Sequence, residues 1–555
     1  MIERKQIVYL SMEIALENDI KTYSGGLGVL AGDTLRSAAD LRVPMIGITL
    51  LNDQGYFKQK INEKGEQEER LVEYDFSKLK KVNKTVLIKI GKDQVKVGVF
   101  QYDIIGKTGF KVPVFLLHTN IKGNKKEYLN LSGQLYKADR EYRLKQEILL
   151  GRGGVKFIKS IFGQKIKKFH INEGHGSLAA IELFSNSRAK SNKDKIKEVQ
   201  NKCVFTTHTP VNAGHDVFAL DFFKKFQMDF PFKLPGLVRN GEINMTRVGL
   251  YFSQYINGVA MSHQEVSSKM FPDYPVHAIT NGVHSETWTS DEFKRLFDKY
   301  IPNWRKCNLS LRNAFNIPLT EIWKAHQVNK RKLIKYIYQT QKIKLDENIF
   351  TIGFARRFTG YKRSNLLFYN INKLMSIHKT VGKIQIIYAG KAHPNDIDGK
   401  NMIKNINDIK EKYKKDIQII FLENYEMDLA KVLIAGVDIW LNTPLPPNEA
   451  SGTSGMKAAH NGVPHFSTLD GWWVEGFVNR KTGWAIGGRR SHLDLKNLNK
   501  KDAESLYYRL EHRILPRYYQ TPEKWQESMR HTIAINASFF NTERMVQQYV
   551  QEAYL

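Results

Sequence analysis

The amino-acid sequence predicts an α/β protein of two doubly wound, Rossmann-like domains, and three observations lead to this prediction. Short apolar runs alternate with helix-length segments through the second half of the chain, which is typical of parallel sheets covered by helices. The first half opens with a strand pattern, a glycine loop and a helix pattern. A polar, mostly helical stretch begins after residue 288. We therefore expect domains at residues 1–281 and 282–555, facing a cleft.

The first half combines parallel and hairpin patterns. Residues 8–14 predict a strand, residues 24–28 the glycine loop and residues 33–41 a helix. Further apolar runs predict a sheet elaborated by hairpins, at residues 43–51, 85–90, 95–100 and 112–117. The runs at residues 169–172 and 203–207 resume the α/β alternation.

The second half has the more regular pattern. Its short apolar runs predict the strands of a parallel sheet, at residues 349–354, 384–389, 417–422, 437–441 and 463–467. Residues 542–555 predict a C-terminal amphipathic helix, because Met545, Val546, Tyr549 and Val550 fall on one side.

The composition is that of an ordinary globular enzyme. With 555 residues, 42% of them hydrophobic and 11% aromatic, the chain can build two or three cores. No apolar stretch reaches the length of a membrane span, and no signal peptide is visible. Because the two cysteines, Cys203 and Cys307, form no CxxC pattern, we expect a cytoplasmic protein.

The net charge of +29 raises the question of nucleic-acid binding. The lysines are scattered, however, and are mixed with Asn, Ile, Asp and Glu instead of forming one stripe with stacking aromatics. This distribution favours a solvated surface, and we expect no specific nucleic-acid partner.

The segment 449–457, Glu-Ala-Ser-Gly-Thr-Ser-Gly-Met-Lys, predicts a pocket between a buried strand and a helix. Glycines let a ligand approach the main chain, and a helix start favours an anion. If Lys457 is desolvated, it can form a Schiff base with a carbonyl cofactor. A Gly/Ser-rich turn with a solvated lysine is the alternative from this motif alone.

A second cluster carries four cations within residues 356–363, directly after a predicted strand. Arg357 and Lys362 are five residues apart, and a turn between them would direct both to one phosphate. A solvated basic helix start is the alternative.

In the first domain, histidines follow two predicted strands, in the segments 170–175 and 206–210. Their spacing matches no metal motif, so sugar hydrogen bonding or a structural role is favoured over zinc. Asn281 and Trp288 add an amide and an aromatic wall, and this mixture of groups suits a sugar ring. Neither GxSxG nor GxxxxGK[ST] occurs.

Taken together, the motifs closely resemble the α-glucan phosphorylases. The resemblance runs from residue 8 to about residue 476, and its motifs occur in the family's order. They are Ser24-Gly-Gly-Leu-Gly, Asn172-Glu-Gly-His, Phe205-Thr-Thr-His-Thr-Pro, Thr280-Asn-Gly-Val, Arg356-Arg-Phe-Thr-Gly-Tyr-Lys-Arg, Ala389-Gly-Lys-Ala-His-Pro and the segment 449–457.

The resemblance implies that Lys457 holds pyridoxal 5'-phosphate. At the cofactor it implies Arg356, Thr453 and Ser454 around the phosphate, with Trp288 and Tyr425 lining the pocket. At the substrate phosphate it implies Arg357, Lys362 and the backbone of Gly25 and Gly26. For sugar binding it implies Asn281, Tyr361, Glu449, Ser451, Gly452, Glu173 and His175, with the His208 main chain facing the reacting carbon. The expected catalytic positions are Lys457, Arg357, Lys362 and His208.

The implied activity is that of a GT-B-type α-1,4-glucan phosphorylase. Orthophosphate cleaves the terminal glucosyl unit from glycogen, maltodextrin or another maltooligosaccharide, and glucose 1-phosphate is formed with retention. Held by Arg357 and Lys362, the phosphate would protonate the glycosidic oxygen and then capture an oxocarbenium-like glucosyl cation. Two departures, Gly455 in place of asparagine and Glu173 in place of aspartate, bear on acceptor preference.

Two other functions remain open at this point. One is a nucleotide-sugar-dependent glycosyltransferase, such as a glycogen or starch synthase, on the same fold. The other is a glucan-binding protein without turnover. No metal and no membrane partner are expected, and a homo-oligomer is left open.

Overall fold

The computed structural model describes residues 5–72, 76–137, 139–211, 214–227, 229–488 and 497–555. The chain divides into two compact units. The first unit comprises Met1–Phe57, Leu71–Thr280 and Met545–Leu555, and the second comprises Lys58–Arg70 and Asn281–Arg544. In the described residues, no helix combines the length and the apolar character needed to cross a membrane.

The strands, in chain order, are β1 (Gln6–Ser11), β2 (Met45–Leu50), β3 (Lys58–Ile61), β4 (Gln67–Arg70), β5 (Lys80–Ile90), β6 (Asp93–Ile105), β7 (Lys111–His118), β8 (Ile166–Asn172), β9 (Cys203–Thr206), β10 (Val217–Ala219), β11 (Glu242–Asn244), β12 (Tyr255–Gly258), β13 (His277–Ala278), β14 (Phe350–Ala355), β15 (Ile384–Ala389), β16 (Gln418–Leu422), β17 (Ile439–Asn442), β18 (His465–Thr468) and β19 (Gly483–Ile486).

The α-helices are α1 (Gly26–Asp40), α2 (Arg140–Ile148), α3 (Gly154–Phe162), α4 (Leu178–Ser185), α5 (Asn192–Gln200), α6 (Leu220–Phe226), α7 (Met245–Tyr251), α8 (Met261–Met270), α9 (Ser285–Trp288), α10 (Asp291–Tyr300), α11 (Leu319–Gln341), α12 (Ile371–Thr380), α13 (Ile397–Tyr413), α14 (Met427–Gly436), α15 (Ser454–Ala459), α16 (Trp473–Gly476), α17 (Leu498–Arg509), α18 (Leu515–Tyr519), α19 (Pro522–His531) and α20 (Thr542–Tyr549). 3-10 helices lie at Lys126–Tyr128, Gly174–Gly176, Asn308–Asn316, Gly360–Lys362 and Leu366–Phe368. π-Helices lie at Leu149–Gly153, Leu510–Ile514, Thr532–Ala537 and Val550–Tyr554.

The first unit is built on one large mixed sheet, with the strand order β13-β12-β9-β8-β1-β2-β7-β6-β5. The strands from β13 to β7 pair in parallel, whereas β5, β6 and β7 form an antiparallel meander at one edge. The α/β prediction, including hairpin strands added to a parallel sheet, is therefore confirmed for this unit.

Side chains of β1 alternate between two hydrophobic cores, as expected for a strand buried on both faces. Ile7 and Tyr9 pack in the core that contains helix α1, whereas Val8 and Leu10 pack in the core that contains α3 and α4. Helices therefore cover both faces of the sheet, and the ends of its parallel strands are left for ligands.

The second unit contains a parallel sheet with the order β16-β15-β14-β17-β18-β19. Numbered along the chain within this sheet, the order is 3-2-1-4-5-6, the order of a doubly wound fold. β14 and β15 are buried along their whole length, which explains their continuous apolar runs.

Two segments lie outside the domain that the sequence suggested for them. The hairpin β3–β4 packs within the second unit, although the chain on both sides of it belongs to the first. Met545–Leu555 packs within the first unit, although residues 282–544 belong to the second. Local periodicity identified the C-terminal helix but carries no information about the sheet that it covers.

The C-terminal segment is fixed to the first sheet by tyrosine hydroxyls. Tyr554 Oη lies 2.6 Å from His170 Nδ1, and Tyr549 Oη accepts from Asn257 Nδ2 at 2.9 Å. Burial lowers the pKa of His170 to about 3, so its ring is neutral at this contact. The apolar side of the helix completes the core around α1.

We expect Tyr549→Ala to lower the free energy of unfolding by about 3 kcal/mol, because it removes a buried ring and a hydrogen-bond partner. Gln551→Ala is the matched control, since Gln551 is exposed in the same segment. Urea unfolding of both variants measures the difference, and equal stabilities would show that the segment does not support the first unit.

Candidate active site

The strand order of the second sheet places a switch point beside its central strand. β14 comes first in the chain, and its neighbours β15 and β17 lie on opposite sides of it. In open α/β sheets ligands bind at such a point, outside the carboxyl ends of the strands. The loops that leave there are residues 356–363 after β14 and residues 443–453 after β17.

Arg363 joins these two loops. Its Nε donates to the carbonyl of Thr443 at 3.0 Å and its Nη2 to the carbonyl of Pro444 at 2.9 Å. The buried Asp502 balances the guanidinium charge at 2.8 Å. The Leu445 N–H also donates to the carbonyl of Tyr361 at 2.8 Å. The cationic loop and the loop that leads to Lys457 therefore form one rigid edge.

Glu449 lies in this edge, and two cations hold its buried carboxylate. Lys362 Nζ donates to both carboxylate oxygens, at 2.8 and 2.7 Å, and Arg356 Nη2 donates to Oε2. Burial alone would raise the pKa of Glu449, but Arg356 and Lys362 outweigh burial and lower this pKa to about 2. We call these three residues the Glu449 cluster. With two cations and one carboxylate, it keeps a positive charge that suits an anionic ligand.

Asp470 fixes the backbone of Glu449. Its Oδ2 accepts from the N–H of Glu449 at 2.8 Å, and its Oδ1 accepts from the N–H of Gly471 at 2.9 Å. Burial and the adjacent Glu449 carboxylate raise the pKa of Asp470 to about 8. Near neutral pH, Glu449 is therefore the ionised member of this carboxyl pair.

Lys457 is buried on α15 and lies against an indole ring. Its Nζ is 3.9 Å from the centroid of the Trp288 ring, a cation–π contact. Asn461 Nδ2 holds both partners, donating to the carbonyl of Trp288 at 2.8 Å and to that of Lys457 at 3.2 Å. The solvated-lysine alternative is therefore wrong, and the amine lies on a flat face where a planar group fits.

The segment before Lys457 contains groups suited to a ligand. Ser454 Oγ accepts from Trp440 Nε1 at 3.0 Å, which fixes the start of α15. Within the described part of the chain, the buried Ser451 Oγ has no hydrogen-bond partner. Such a group costs about 1–3 kcal/mol until a partner is supplied. We therefore expect Ser451 to gain a partner when a ligand binds.

Gly455 allows two rings to pack against the backbone of α15. A Cβ at this position would lie 2.7 Å from the ring of His465 and 2.7 Å from that of Trp472. Burial, followed by the charge of Arg356, lowers the pKa of His465 to about 3, so this ring is neutral. The glycine thus allows an aromatic support beneath the helix that carries Lys457.

The cations of the loop after β14, residues 356–363, do not all lie at the same place. Lys362 is occupied by Glu449, whereas Arg357 is exposed and lines a pocket of about 770 Å³. Tyr361 and His393 line the same pocket. The convergence of Arg357 and Lys362 on one phosphate therefore remains a prediction.

Other predicted residues of the second unit occupy separate places. Thr453 precedes α15, and Gly452 beside it has a φ of +81°. Tyr425 follows β16. The buried Asn281 accepts from Arg544 Nη2 through its carbonyl at 3.2 Å. Their roles toward cofactor and sugar remain predictions.

In the first unit, the corresponding switch point lies between β1 and β8. The glycine loop follows β1, and its backbone N–H groups face Glu13. Glu13 Oε2 accepts from the N–H of Ser24 at 2.6 Å and from that of Gly25 at 3.2 Å. Tyr136 Oη donates to the other carboxylate oxygen at 3.0 Å. Gly26 begins α1 directly after these contacts.

The predicted sugar-binding residues of the first unit are brought together after β8 and β9. Glu173 Oε2 accepts from the N–H of His208 at 2.6 Å, and His208 Nε2 lies 2.7 Å from Asn172 Oδ1. Burial, followed by neighbouring histidines, lowers the pKa of His208 to about 3, so its ring is neutral. Glu173 has a φ of +74°, a strained backbone for a non-glycine residue.

His175 belongs to a charged cluster that sequence reasoning missed. Arg143 Nη2 donates to His175 Nε2 at 2.8 Å, and Arg143 Nε donates to Asp216 Oδ2 at 3.0 Å. Burial acts to raise the pKa of Asp216, but His175 and Arg143 lower it overall. Glu13 and Asp470 were also missed. A carboxylate within an apolar run marked Glu13, and an Asp-Gly directly after a strand marked Asp470.

We expect Asp470 to make stability fall as pH rises. Its folded pKa of about 8 lies above its unfolded value, so its stabilising contribution is complete only below the unfolded pKa and is lost as pH rises through the folded pKa. Between the unfolded and the folded pKa of Asp470, the free energy of unfolding should fall by up to about 1.4 kcal/mol per pH unit. Asp470→Asn should remove that slope. The lowered pKa of Glu449 keeps it ionised throughout. Urea unfolding at several pH values measures the slope, and identical pH profiles for the two proteins would contradict this assignment.

The chain is similar to known proteins of one enzyme family. The model of the carbohydrate phosphorylase family matches residues 236–484. Over 99% of its length, the chain is 36% identical to maltodextrin phosphorylase of Thermococcus litoralis, of which it covers 70%. It is also 36% identical to glycogen phosphorylase of Aquifex aeolicus over 99% of its length, covering 86% of that protein. An uncharacterized protein of Methanocaldococcus jannaschii is 31% identical, with 99% of this chain and all of that protein covered. The chain therefore belongs to the carbohydrate phosphorylase family.

Proposed function

We propose that the chain is an α-1,4-glucan phosphorylase that uses pyridoxal 5'-phosphate. It would transfer the non-reducing-end glucosyl unit of glycogen or maltodextrin to orthophosphate and release glucose 1-phosphate. The observation that carries this proposal is the buried Lys457 amine on the Trp288 ring, in the same unit as the positively charged Glu449 cluster. Relatives named maltodextrin and glycogen phosphorylase support it.

The residues around Lys457 fit the cofactor. The indole of Trp288 offers a flat face for a pyridine ring beside the Lys457 amine. Arg356, Thr453 and Ser454 would hold the phosphate of the cofactor, with Tyr425 at the ring. When bound, the cofactor supplies a phosphate group for proton transfer near the reacting bond.

The chain's own charges would bind orthophosphate and orient the sugar. Arg357 is exposed at the pocket that Tyr361 also lines, where an entering anion can meet it. Lys362 would supply the second charge, and the two cations would stabilise negative charge on the attacking phosphate. Glu449 and Ser451 would bind glucosyl hydroxyls, together with Asn281 and the Gly452 backbone.

We assign glucan binding to residues of the first unit as part of the same proposal. Glu173 and His175 would contact the sugar chain, and the His208 main chain would face the reacting carbon. The backbone of Gly25 and Gly26 would contact the phosphate. The same proposal includes a GT-B-type architecture and a cytoplasmic location, and it leaves a homo-oligomer open.

The rival functions predict different outcomes. A nucleotide-sugar-dependent glycosyltransferase has no use for a buried Lys457 amine as a point of cofactor attachment. A glucan-binding protein without turnover would bind maltooligosaccharide and form no phosphorylated sugar. Both differ from a phosphorylase in their products.

We expect the purified protein, supplied with pyridoxal phosphate, orthophosphate and maltoheptaose, to form glucose 1-phosphate. Lys457→Arg keeps the cation but cannot hold a carbonyl, so it should reduce activity by at least about 1000-fold. Borohydride reduction of the native protein, followed by peptide mapping, should label Lys457. An enzyme-coupled assay for glucose 1-phosphate measures turnover.

Lys431→Arg is the matched control, because Lys431 is a partly exposed lysine on α14 whose Nζ lies 3.4 Å from Asp428 Oδ1. It should retain activity and cofactor. Glucosyl transfer from a nucleotide sugar without phosphorolysis would support the glycosyltransferase instead, and full activity of Lys457→Arg would refute the cofactor assignment.

A further inference from the structure

The hairpin β3–β4 carries two buried glutamines into the second unit. Gln59 and Gln67 are buried at 1% and 6% exposure, whereas Lys58, Lys60 and Glu68 around them are exposed. A buried amide is costly unless its donors and acceptor are bonded. These two amides are fully bonded, partly to each other and to Glu69 of the hairpin, and partly to groups at the carboxyl edge of the sheet.

Gln67 pairs with Ala392 as a neighbouring strand would. Its Oε1 accepts from the N–H of Ala392 at 2.9 Å, and its Nε2 donates to the carbonyl of Ala392 at 3.0 Å. Gln59 Nε2 donates to Gln67 Oε1 at 3.0 Å and to the carbonyl of Gly390 at 2.8 Å. Gln59 Oε1 accepts from the N–H of Asn424 at 3.1 Å. The glutamines thus connect the loops after β15 and β16.

The segment held by the glutamines supports the backbone that carries Arg356 and Arg357. The Phe358 N–H donates to the carbonyl of Lys391 at 3.0 Å, and Phe358 pairs with Ala392. A Cβ at Gly390 would lie only 2.0 Å from the Arg356 carbonyl oxygen, so the two segments are in direct backbone contact. A shift of the segment 390–392 must therefore move the segment 356–358.

We propose that Gln59 and Gln67 are positioning residues for anion binding by the segment 356–358. Their amides replace a missing neighbouring strand beyond the end of β15 and hold the 390–392 segment against Arg356. Arg357 then keeps its place at the pocket that is also lined by His393, one residue after Ala392. The ligand concerned is orthophosphate, and this identification rests on the proposed function.

The test is Gln67→Met, which keeps the volume of the side chain and removes every amide hydrogen bond. We expect the KM for orthophosphate to rise about tenfold and the KM for maltoheptaose to change less than about twofold. Arg357→Ala provides the reference for lost phosphate binding. Glu68→Met is the matched control, because Glu68 is exposed on the same strand, and it should leave both constants unchanged.

A second readout separates this inference from the proposed function. Orthophosphate should raise the Tm of the native protein more than that of Gln67→Met, whether or not turnover occurs. If the native protein shows no turnover but still shows the larger rise in Tm with phosphate, the result contradicts the proposed function and leaves the positioning role standing. Equal phosphate responses, or equal rises in both KM values, would overturn the positioning role.

Gln67→Glu keeps the acceptor for the Ala392 N–H and loses the donor to its carbonyl, so it should give an intermediate KM for phosphate. If neither Gln67 variant yields folded protein, the hairpin serves folding, and the positioning role is overturned.

Discussion

The second unit depends on one buried carboxylate between two cations. Taking Glu449, Lys362 and part of Arg356 out of water is costly, and their mutual contacts compensate for that cost. The charges also set protonation, since the two cations keep Glu449 ionised, while burial and the adjacent Glu449 carboxylate keep Asp470 protonated near neutral pH. The same cluster that completes the folded edge therefore provides the positive field that an anionic substrate requires.

This arrangement follows from the order of the strands. Because β14 and β17 are neighbours, the cationic loop and the loop before Lys457 leave the sheet side by side. Further contacts fix each loop. Arg363 joins the two loops, and Asp470 holds the backbone of Glu449. The β3–β4 hairpin holds the segment 390–392, which lies next to Arg356. Rigid support of this kind is what a site needs to hold charged groups at catalytic distances.

Much of the second sheet could be predicted from sequence, because fully buried parallel strands have continuous apolar runs. The run 349–354 corresponds to β14, and 384–389 coincides with β15. Lys457 could be found because a lysine in a glycine-rich turn after a strand is unusual. The partner of Lys362 could not be predicted, since four cations lie within residues 356–363 and only the folded loops decide which of them reach Glu449. The placement of the β3–β4 hairpin was also inaccessible, because its buried amides have partners more than 300 residues away in the chain.

The most direct test of the central claim is the thermal unfolding of Glu449→Gln, measured without added cofactor and at increasing orthophosphate. We expect a lower Tm in buffer, because the buried Lys362 and the partly buried Arg356 lose their counter-charge. We further expect phosphate to raise the Tm of this variant more than that of the native protein, since the anion replaces the missing charge. Glu347→Gln, which alters an exposed ion pair with Arg331, controls for the loss of one acidic group. An unchanged Tm, or equal responses to phosphate in the native protein and Glu449→Gln, would contradict the account.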